Sequence, residues 1–117
     1  MIKFYGYSNC STCSKALKEL KRKKVVVQEI SIVEQAPTKK EILLALKQKG
    51  IEMKHLLNTS GVLYREMGLK DKIPQMSRDE VVDLLSRHGK LVKRPFITDG
   101  VRVTLGFREA KLLDIWG

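Results

Sequence analysis

The sequence is poor in the residues that build disulfide scaffolds and membrane spans. Only two of its 117 residues are cysteine, and a pair as close as Cys10 and Cys13 cannot cross-link a small extracellular fold. No apolar run approaches the roughly 20 residues that a transmembrane helix needs. The segment from Lys15 to Lys24 predicts a cationic helix rather than the apolar region of a signal peptide. We therefore expect a cytoplasmic protein with no membrane segment.

Aromatic residues are also scarce, at 6%, whereas the formal net charge is +10. Such a charge attracts acidic partners or nucleic acid. The lysines are scattered, however, and the one cluster, Lys21 to Lys24, falls in the last turn of a predicted helix, where cations complement the helix dipole. No aromatic residues interleave with it to stack bases. The pattern favours a solvated helix face over direct binding of nucleic acid.

A chain of this length predicts a single domain over residues 1–117 with its own core. Its first part predicts a strand from Ile2 to Tyr7 and a helix from Thr12 to Lys23. The β-branched run that follows, from Val25 to Ile30, predicts a second strand. A short helix between two strands favours a parallel pair with a right-handed crossover.

The middle of the chain has a helical pattern, and we expect a helical insertion over about residues 38–89. Thr38 and Glu41 have the spacing of a capping box, which opens a helix that runs towards Gly50. A shorter helical stretch covers Val62 to Met67. Together these signals predict several short helices in place of further strands.

A second capping box, Ser77 with Glu80, opens the last helix of this insertion. His88 falls on the apolar face of that helix, which favours a packed or capping role over catalysis. Gly89 follows directly and predicts the end of the helix. We therefore assign no catalytic role to His88.

Near the end of the chain, the apolar residues return to the two-residue period of β-strands. Strands are predicted from Phe96 to Thr98 and from Val101 to Leu105, around a type I′ turn at Asp99-Gly100. A last helix carries apolar residues between Ala110 and Trp116. An N-terminal β-α-β unit and a C-terminal β-β-α unit form the thioredoxin fold, here an α/β protein with a helical insertion.

The most informative stretch is Cys10 to Cys13, a Cys-x-x-Cys between a strand and a helix, as in dithiol redox sites. A cysteine at a helix N-terminus meets unpaired N–H groups and the positive end of the dipole, which favour its thiolate. Cys10 lies at that terminus. Cys13 lies one turn further, on the face that packs against the sheet. We therefore predict that Cys10 attacks and that Cys13 resolves the mixed disulfide.

Two other interpretations remain open for the cysteines. Cys13 fits a small buried apolar residue, which would leave Cys10 as the functional thiol. Zinc binding is favoured less, because His55 and His88 do not have the spacing of a compact Cys₂His₂ site. We predict no metal site and no bound cofactor.

Four further residues are candidates around the dithiol. Ser11 and Thr12 lie in the first helical turn, where their N–H groups could hold a thiolate or an oxyanion, although both also fit as mere fillers. Pro95 begins a strand, so it must sit at an edge, a bulge or a cis bond. In thioredoxin folds a cis-proline faces the dithiol, and we predict that role for Pro95. Arg94 would then direct its guanidinium to Cys10; the alternative is a surface arginine before a trans-proline.

Several motifs in one order resemble the arsenate reductase (ArsC)/Spx family. The residues that carry the resemblance are Tyr7 to Ala16, Asn58 to Gly61, Tyr64 to Leu69 and Lys93 to Pro95. The resemblance covers essentially the whole chain, and the four motifs together are more specific than the cysteine motif. It implies a thioredoxin-like core with a helical insertion, a nucleophilic cysteine at Cys10 and an arginine before a cis-proline at Arg94.

The chain departs from the glutaredoxin-linked arsenate reductases of that family at the anion clamp. Those enzymes hold the oxyanion with three arginines, and here Arg94 matches whereas Asn58 and Phe107 stand at the other two positions. Each lost charged hydrogen bond would weaken oxyanion binding by about 1.5–3 kcal/mol. Those enzymes also commonly lack the second cysteine that this chain has at Cys13. Three other arginines are potential substitutes: Arg65, Arg102 and Arg108.

Two functions follow from the resemblance. The first is an ArsC-like thiol–disulfide oxidoreductase for an oxyanion or a disulfide, in which an external thiol system, thioredoxin or glutathione with glutaredoxin, reduces the Cys10–Cys13 pair. The second is an Spx-like redox-sensing regulator that binds the C-terminal domain of the RNA polymerase α-subunit. The net charge of +10 is compatible with an acidic protein partner.

Overall fold

The computed structural model describes the backbone of all 117 residues and every side chain except those of residues 109 and 110. The side chain of Ala110, an apolar position of the predicted last helix, therefore lies outside the described part of the chain. The elements follow in the order β1 (Ile2–Gly6), α1 (Ser11–Arg22), β2 (Val27–Ser31), α2 (Lys39–Lys47), α3 (Met53–Leu56), α4 (Val62–Glu66), α5 (Leu69–Lys72), α6 (Arg78–Arg87), β3 (Phe96–Thr98), β4 (Val103–Leu105) and α7 (Glu109–Trp116). Short 3-10 turns cover Ile73–Gln75 and Gly89–Leu91.

The strands described form one mixed sheet in the order β2-β1-β3-β4. β1 and β2 are parallel, with Ile2 opposite Val27. β3 runs antiparallel to β1, with Phe4 opposite Ile97, and β4 runs antiparallel to β3. Along the chain, the helices from α2 to α6 lie between β2 and β3. The predicted thioredoxin-like α/β fold with a helical insertion is confirmed.

Each face of the sheet packs against a different set of helices. Successive side chains of a strand point to opposite faces. Phe4 and Ile97 therefore join a core cluster that includes residues of α1 and α7. Tyr5 and Phe96 join a second cluster with the insertion helices, and their rings meet edge to face at a centroid distance of 5.8 Å. The two cysteines belong to the first cluster.

The insertion is tied to β1 through Glu41. The two predicted capping boxes are confirmed, and in the first of them Glu41 accepts a hydrogen bond from the Thr38 N–H at 3.0 Å. The same carboxylate accepts one from the Tyr5 hydroxyl at 2.7 Å and pairs with Lys3 at 3.4 Å. Burial would raise the pKa of Glu41, but these partners outweigh it and hold that pKa below its usual value. The carboxylate thus stays charged and links α2 to the sheet.

The second strand begins two residues later than predicted, at Val27. The reason lies in how α1 ends. Lys24 adopts the left-handed conformation with φ +59°, and the Val25 N–H bonds back to the carbonyl of Leu20 at 2.9 Å. This is the hydrogen-bond pattern of a helix C-terminus that usually uses glycine. Val25 therefore completes the helix end, and Val26 is 75% exposed.

Replacing this left-handed lysine by glycine should stabilise the protein. Left-handed backbone is costly for a residue with a Cβ and free for glycine, although glycine loses more entropy on folding. We expect Lys24→Gly to raise the free energy of unfolding by about 0.5–1 kcal/mol, measured by urea denaturation. The matched variant Lys23→Gly, at φ −88°, should lower it instead. A lower urea midpoint for Lys24→Gly than for the parent protein would contradict this account.

The turn between β3 and β4 is not the predicted type I′ turn. Thr98 is opposite Val103, which leaves a four-residue loop. Gly100 has φ +92°, but Asp99 is not left-handed, whereas a type I′ turn needs positive φ at both central residues. Instead, the Asp99 carboxylate accepts hydrogen bonds from the N–H groups of Val101 and Arg102 at 2.9 and 2.7 Å. Its side chain builds the loop and shortens the strand that follows.

The predicted end of α6 before Gly89 is confirmed, whereas the prediction for His88 was wrong in part. His88 is the C-cap of α6, as a capping role implies, but its side chain is exposed instead of lying on the apolar face. Gly89 is buried and does not adopt the left-handed conformation that usually ends a helix. A Cβ on Gly89 would lie 1.6 Å from the carbonyl oxygen of Ile32. The glycine is thus required by a close approach of two backbone segments.

Candidate redox site

Cys10 is the N-cap of α1, as predicted. It has extended backbone angles, φ −96° and ψ 113°, and its sulfur accepts a hydrogen bond from the Cys13 N–H at 3.2 Å. The Cys10 N–H donates to the carbonyl of Tyr7 at 3.0 Å, which fixes the loop between β1 and the helix. The Cys10 side chain is half-buried. A sulfur in this position is oriented by the helix and still reachable from outside.

Cys13 is the more buried of the two thiols, with 3% of its surface exposed. Burial raises its pKa to about 12, and the neighbouring Cys10 contributes in the same direction. A hydrogen bond with the backbone of Tyr7 and the charge of Arg94 act against this rise without cancelling it. Cys13 is therefore held as a neutral thiol near pH 7. The predicted asymmetry in burial is confirmed.

This asymmetry predicts a single alkylation in the native protein. At pH 8, about one molecule in ten thousand carries the Cys13 thiolate, since its pKa is about 12. We expect iodoacetamide to add one label, at Cys10, and to add the second only after unfolding in guanidinium chloride. Peptide mass spectrometry locates the labels. In Cys10→Ser, the native protein should stay unlabelled on the same timescale. Equal labelling of both cysteines in the folded parent would contradict the assignment.

The Arg94–Pro95 peptide bond is cis, as the resemblance implied. Pro95 is buried and Arg94 is half-buried. The guanidinium carbon of Arg94 lies 5.3 Å from the centroid of the Tyr7 ring, within the range of a cation–π contact. Arg94 is thus held over the loop that leads to Cys10. That its charge acts on the Cys10 thiolate remains a prediction.

Ser11 and Thr12 occupy the first turn of α1, and the structure leaves Ser11 exposed and Thr12 half-buried. The first N–H groups of a helix have no partner within it. In this turn the N–H of Cys13 is taken by the Cys10 sulfur. Anion binding by Ser11 and Thr12 remains a prediction.

The two positions that differ from an arginine clamp have structural roles of their own. Phe107 packs, half-buried, against the cluster that contains Cys13. The side-chain amide of Asn58 donates to the carbonyl of Lys90 at 3.3 Å. The backbone N–H of Asn58 donates to the carbonyl of Leu91 at 2.8 Å. Both side chains that the resemblance places at the other two clamp positions thus have structural roles here.

The arginines considered as substitutes lie in different places. Arg102 is committed elsewhere: its guanidinium pairs with Asp99 at 2.9 Å, donates to the carbonyl of Ile115 at 3.0 Å and lies 4.9 Å from the ring centroid of Trp116. Arg65 is exposed on α4, and Arg108 is exposed at the start of α7. The structure therefore gives Arg102 a role in joining the β3–β4 loop to the last helix.

The sequence did not reveal a groove beside Cys13. It has a volume of about 480 Å³ and lies between the end of β1, the first turns of α1 and residues at the end of β2, including Glu29 and Glu34. The carboxyl ends of parallel strands meet at one edge of a sheet, where ligand sites of α/β proteins occur. That rule, applied to the predicted parallel pair, is the signal that could have located the groove.

Neither a metal centre nor a membrane-spanning helix is found among the described residues. No group of three or more histidine, cysteine, aspartate or glutamate side chains is placed to hold a metal ion in the described part of the chain. Among the same residues, no helix is long and apolar enough to span a membrane.

A thioredoxin-like sheet with two thiols at the start of its first helix and a cis-proline before β3 is typical of a class of thiol proteins. Comparison with known families specifies the class further. The model of the ArsC family matches residues 5–115. The chain belongs to the ArsC family.

Individual relatives include proteins with different names. The uncharacterized protein YusI of Bacillus subtilis is 44% identical over 98% of both chains. A crystal structure of a possible arsenate reductase from Streptococcus mutans is 39% identical, covers 97% of this chain and 98% of that one, and has a TM-score of 0.88. The global transcriptional regulator Spx of Streptococcus mutans is 26% identical over 96% of this chain and 80% of its own length. The resemblance inferred from the sequence is confirmed, and relatives of this chain carry both names.

Proposed function

We propose that this protein is a cytoplasmic thiol–disulfide oxidoreductase that uses Cys10 and Cys13 as a redox pair. The observation that carries the proposal is the hydrogen bond from the Cys13 N–H to the Cys10 sulfur, at 3.2 Å. It brings a half-exposed sulfur at a helix start next to a buried thiol. Such an arrangement gives the two sulfurs different accessibility, which the attacking and resolving steps require.

The reaction transfers two electrons from the dithiol to a substrate disulfide. The Cys10 thiolate attacks one substrate sulfur and expels the other as a thiolate, which takes a proton from solvent. Cys13 then gives up its proton and attacks the Cys10 sulfur, which releases the second substrate thiol and leaves a Cys10–Cys13 disulfide. An external thiol system, thioredoxin or glutathione with glutaredoxin, restores the dithiol. Arg94, Ser11 and Thr12 are proposed to stabilise thiolate charge, with Pro95 shaping the site.

A disulfide substrate is better supported than arsenate. A doubly charged oxyanion needs several cations, and the surroundings of the dithiol offer Arg94 together with the apolar ring of Phe107. Losing two charged hydrogen bonds would weaken oxyanion binding by about 3–6 kcal/mol. Arsenate is therefore expected to draw no electrons from either thiol system.

A second candidate function is redox-dependent regulation. The observation in its favour is the likeness over 96% of this chain to a protein named as a global transcriptional regulator. In this alternative, formation of the Cys10–Cys13 disulfide changes the affinity for the C-terminal domain of the RNA polymerase α-subunit. Each molecule of such a protein would be oxidised once in response to an oxidant, and it would not reduce substrate catalytically.

Steady-state turnover separates the two candidates. The purified protein is mixed with bis(2-hydroxyethyl) disulfide and NADPH, coupled either to thioredoxin and its reductase or to glutathione, glutaredoxin and glutathione reductase. An oxidoreductase should raise NADPH consumption above the rate without it, in proportion to its concentration. Absence of any such increase with both systems, together with redox-dependent binding to the isolated α-subunit domain, would overturn the enzyme and support the regulator. Arsenate replaces the disulfide in a parallel reaction.

A further inference from the structure

The groove beside Cys13 has the volume of a small-molecule site. Its volume of about 480 Å³ falls within the range of about 300–1,000 Å³ that is usual for small-molecule sites. Cys13 lines it, as do Tyr7 and Ser8 of the loop that leads to Cys10. A ligand held in the groove would thus lie against the resolving thiol and border the segment that carries the attacking one.

The charge of the groove is opposite to that of the molecule. Two carboxylates, Glu29 and Glu34, line it, and the lining among the described residues includes no lysine or arginine. Both side chains are exposed, and within the described part of the chain neither carboxylate group takes part in a hydrogen bond or an ion pair. The chain has 23 lysines and arginines against 13 acidic residues. Two carboxylates without a cation at one groove therefore make a local site for a positive charge.

The rest of the groove is apolar or neutral. Leu17 and Val33 contribute apolar surface, and Ser14 contributes a hydroxyl that donates to the Cys10 carbonyl at 3.2 Å. Such a lining accommodates methylene groups, while the carboxylates complement an ammonium group. The chemistry of the groove is therefore that of an aminoalkyl chain.

We propose that this groove selects a cationic, amine-bearing disulfide as the substrate of the Cys10–Cys13 pair, with Glu29 and Glu34 as its specificity-determining residues. This inference rests on the proposed oxidoreductase function. Each turnover reduces one such disulfide to two aminothiols: Cys10 displaces the first as a thiolate, Cys13 displaces the second, and the protein is left with one internal disulfide. The two electrons come from the dithiol, so a single turnover needs no other reductant.

A pair of probes of similar size tests the charge preference. Cystamine and bis(2-hydroxyethyl) disulfide share the same chain length, and cystamine carries two ammonium groups where the other has hydroxyl groups. The fully reduced protein is mixed with an excess of either disulfide without added thiol. Samples are quenched in acid, and mass spectrometry follows the loss of two hydrogens as the internal disulfide forms. The measured quantity is the ratio of the two second-order rate constants.

The expected result is a ratio that depends on the two carboxylates. We expect Glu29→Gln with Glu34→Gln to lower the cystamine-to-hydroxyethyl ratio about tenfold, since exposed ion pairs contribute modestly and two are removed. Added salt should lower the ratio of the parent protein as well. The double variant Glu66→Gln with Asp71→Asn makes the same change in net charge at exposed positions outside the groove, and its ratio should equal that of the parent.

The two ways of failing are distinguishable. If both disulfides oxidise the protein and the groove variant keeps the ratio of the parent, the groove does not select for charge, and this inference is overturned while the oxidoreductase remains. An equal fall of the ratio in the control variant would also overturn it, because net charge would then account for the preference. If neither disulfide oxidises the reduced protein, the proposed function itself fails, and the inference fails with it.

Discussion

Replacing Cys10 by serine is expected to lower the turnover of disulfides by at least about a thousandfold, because the attacking sulfur is lost. Replacing Cys13 by serine should have a different effect. The first displacement still occurs, but without a resolving thiol the protein accumulates as a mixed disulfide with half of the substrate. Intact mass spectrometry during turnover would detect the added mass on Cys13→Ser and none on Cys10→Ser. These opposite outcomes follow from the different burial of the two sulfurs.

A matched control keeps both thiols and removes an exposed hydroxyl elsewhere. Ser60 is exposed in the turn before α4, so Ser60→Ala should turn over at the rate of the parent. Full activity of Cys10→Ser would show that another group performs the attack. A mixed disulfide on Cys10→Ser instead of Cys13→Ser would reverse the two roles, which the geometry at the start of α1 does not support.

The second large effect concerns stability. Alanine at position 89 would place its Cβ 1.6 Å from the carbonyl oxygen of Ile32. The oxygen belongs to the backbone and the Cβ is bonded directly to it, so neither can turn away as the end of a flexible side chain would. Overpacking in a core costs about 1–3 kcal/mol and occasionally more, and we expect Gly89→Ala to reach about 3 kcal/mol or to prevent folding. Urea denaturation, or the soluble yield if the variant is unfolded, measures the effect.

Gly50 provides the comparison, because a Cβ there meets nothing within 4 Å. Its φ of +83° makes alanine unfavourable, at a cost of about 1–2 kcal/mol. Gly50→Ala should therefore destabilise the protein less than Gly89→Ala. If the two variants lost the same stability, the contact with Ile32 would not be the reason for glycine at position 89.

The features predicted correctly from the sequence are those fixed by residues close together in the chain. The capping boxes depend on a spacing of three residues, as with Thr38 and Glu41. The burial of Cys13 follows from its place one turn into an amphipathic helix. The order of strands and helices follows from local periodicity and led directly to the fold. In each of these cases the residue pattern that carries the signal lies within a short window of the sequence.

The features that were missed depend on contacts between distant segments or on a single backbone angle. The requirement for glycine at position 89 comes from Ile32, 57 positions earlier in the chain. The groove is formed where the ends of β1 and β2 meet α1, and its carboxylates, Glu29 and Glu34, have no motif of their own. The late start of β2 depends on the left-handed backbone of Lys24, a conformation that a lysine in the sequence does not predict.

The hydrogen bond between the Cys13 N–H and the Cys10 sulfur links helix capping to reducing power. A side-chain cap contributes about 1 kcal/mol to stability, and a charged acceptor strengthens such a bond. A thiolate at position 10 therefore caps α1 better than a disulfide sulfur does. The cap stabilises the reduced form relative to the disulfide, so the reduced protein gives up its two electrons less readily. For a two-electron couple, 1.4 kcal/mol of such stabilisation corresponds to about 30 mV. The start of the helix thus favours the reduced dithiol and moves its potential towards the oxidising end of the scale.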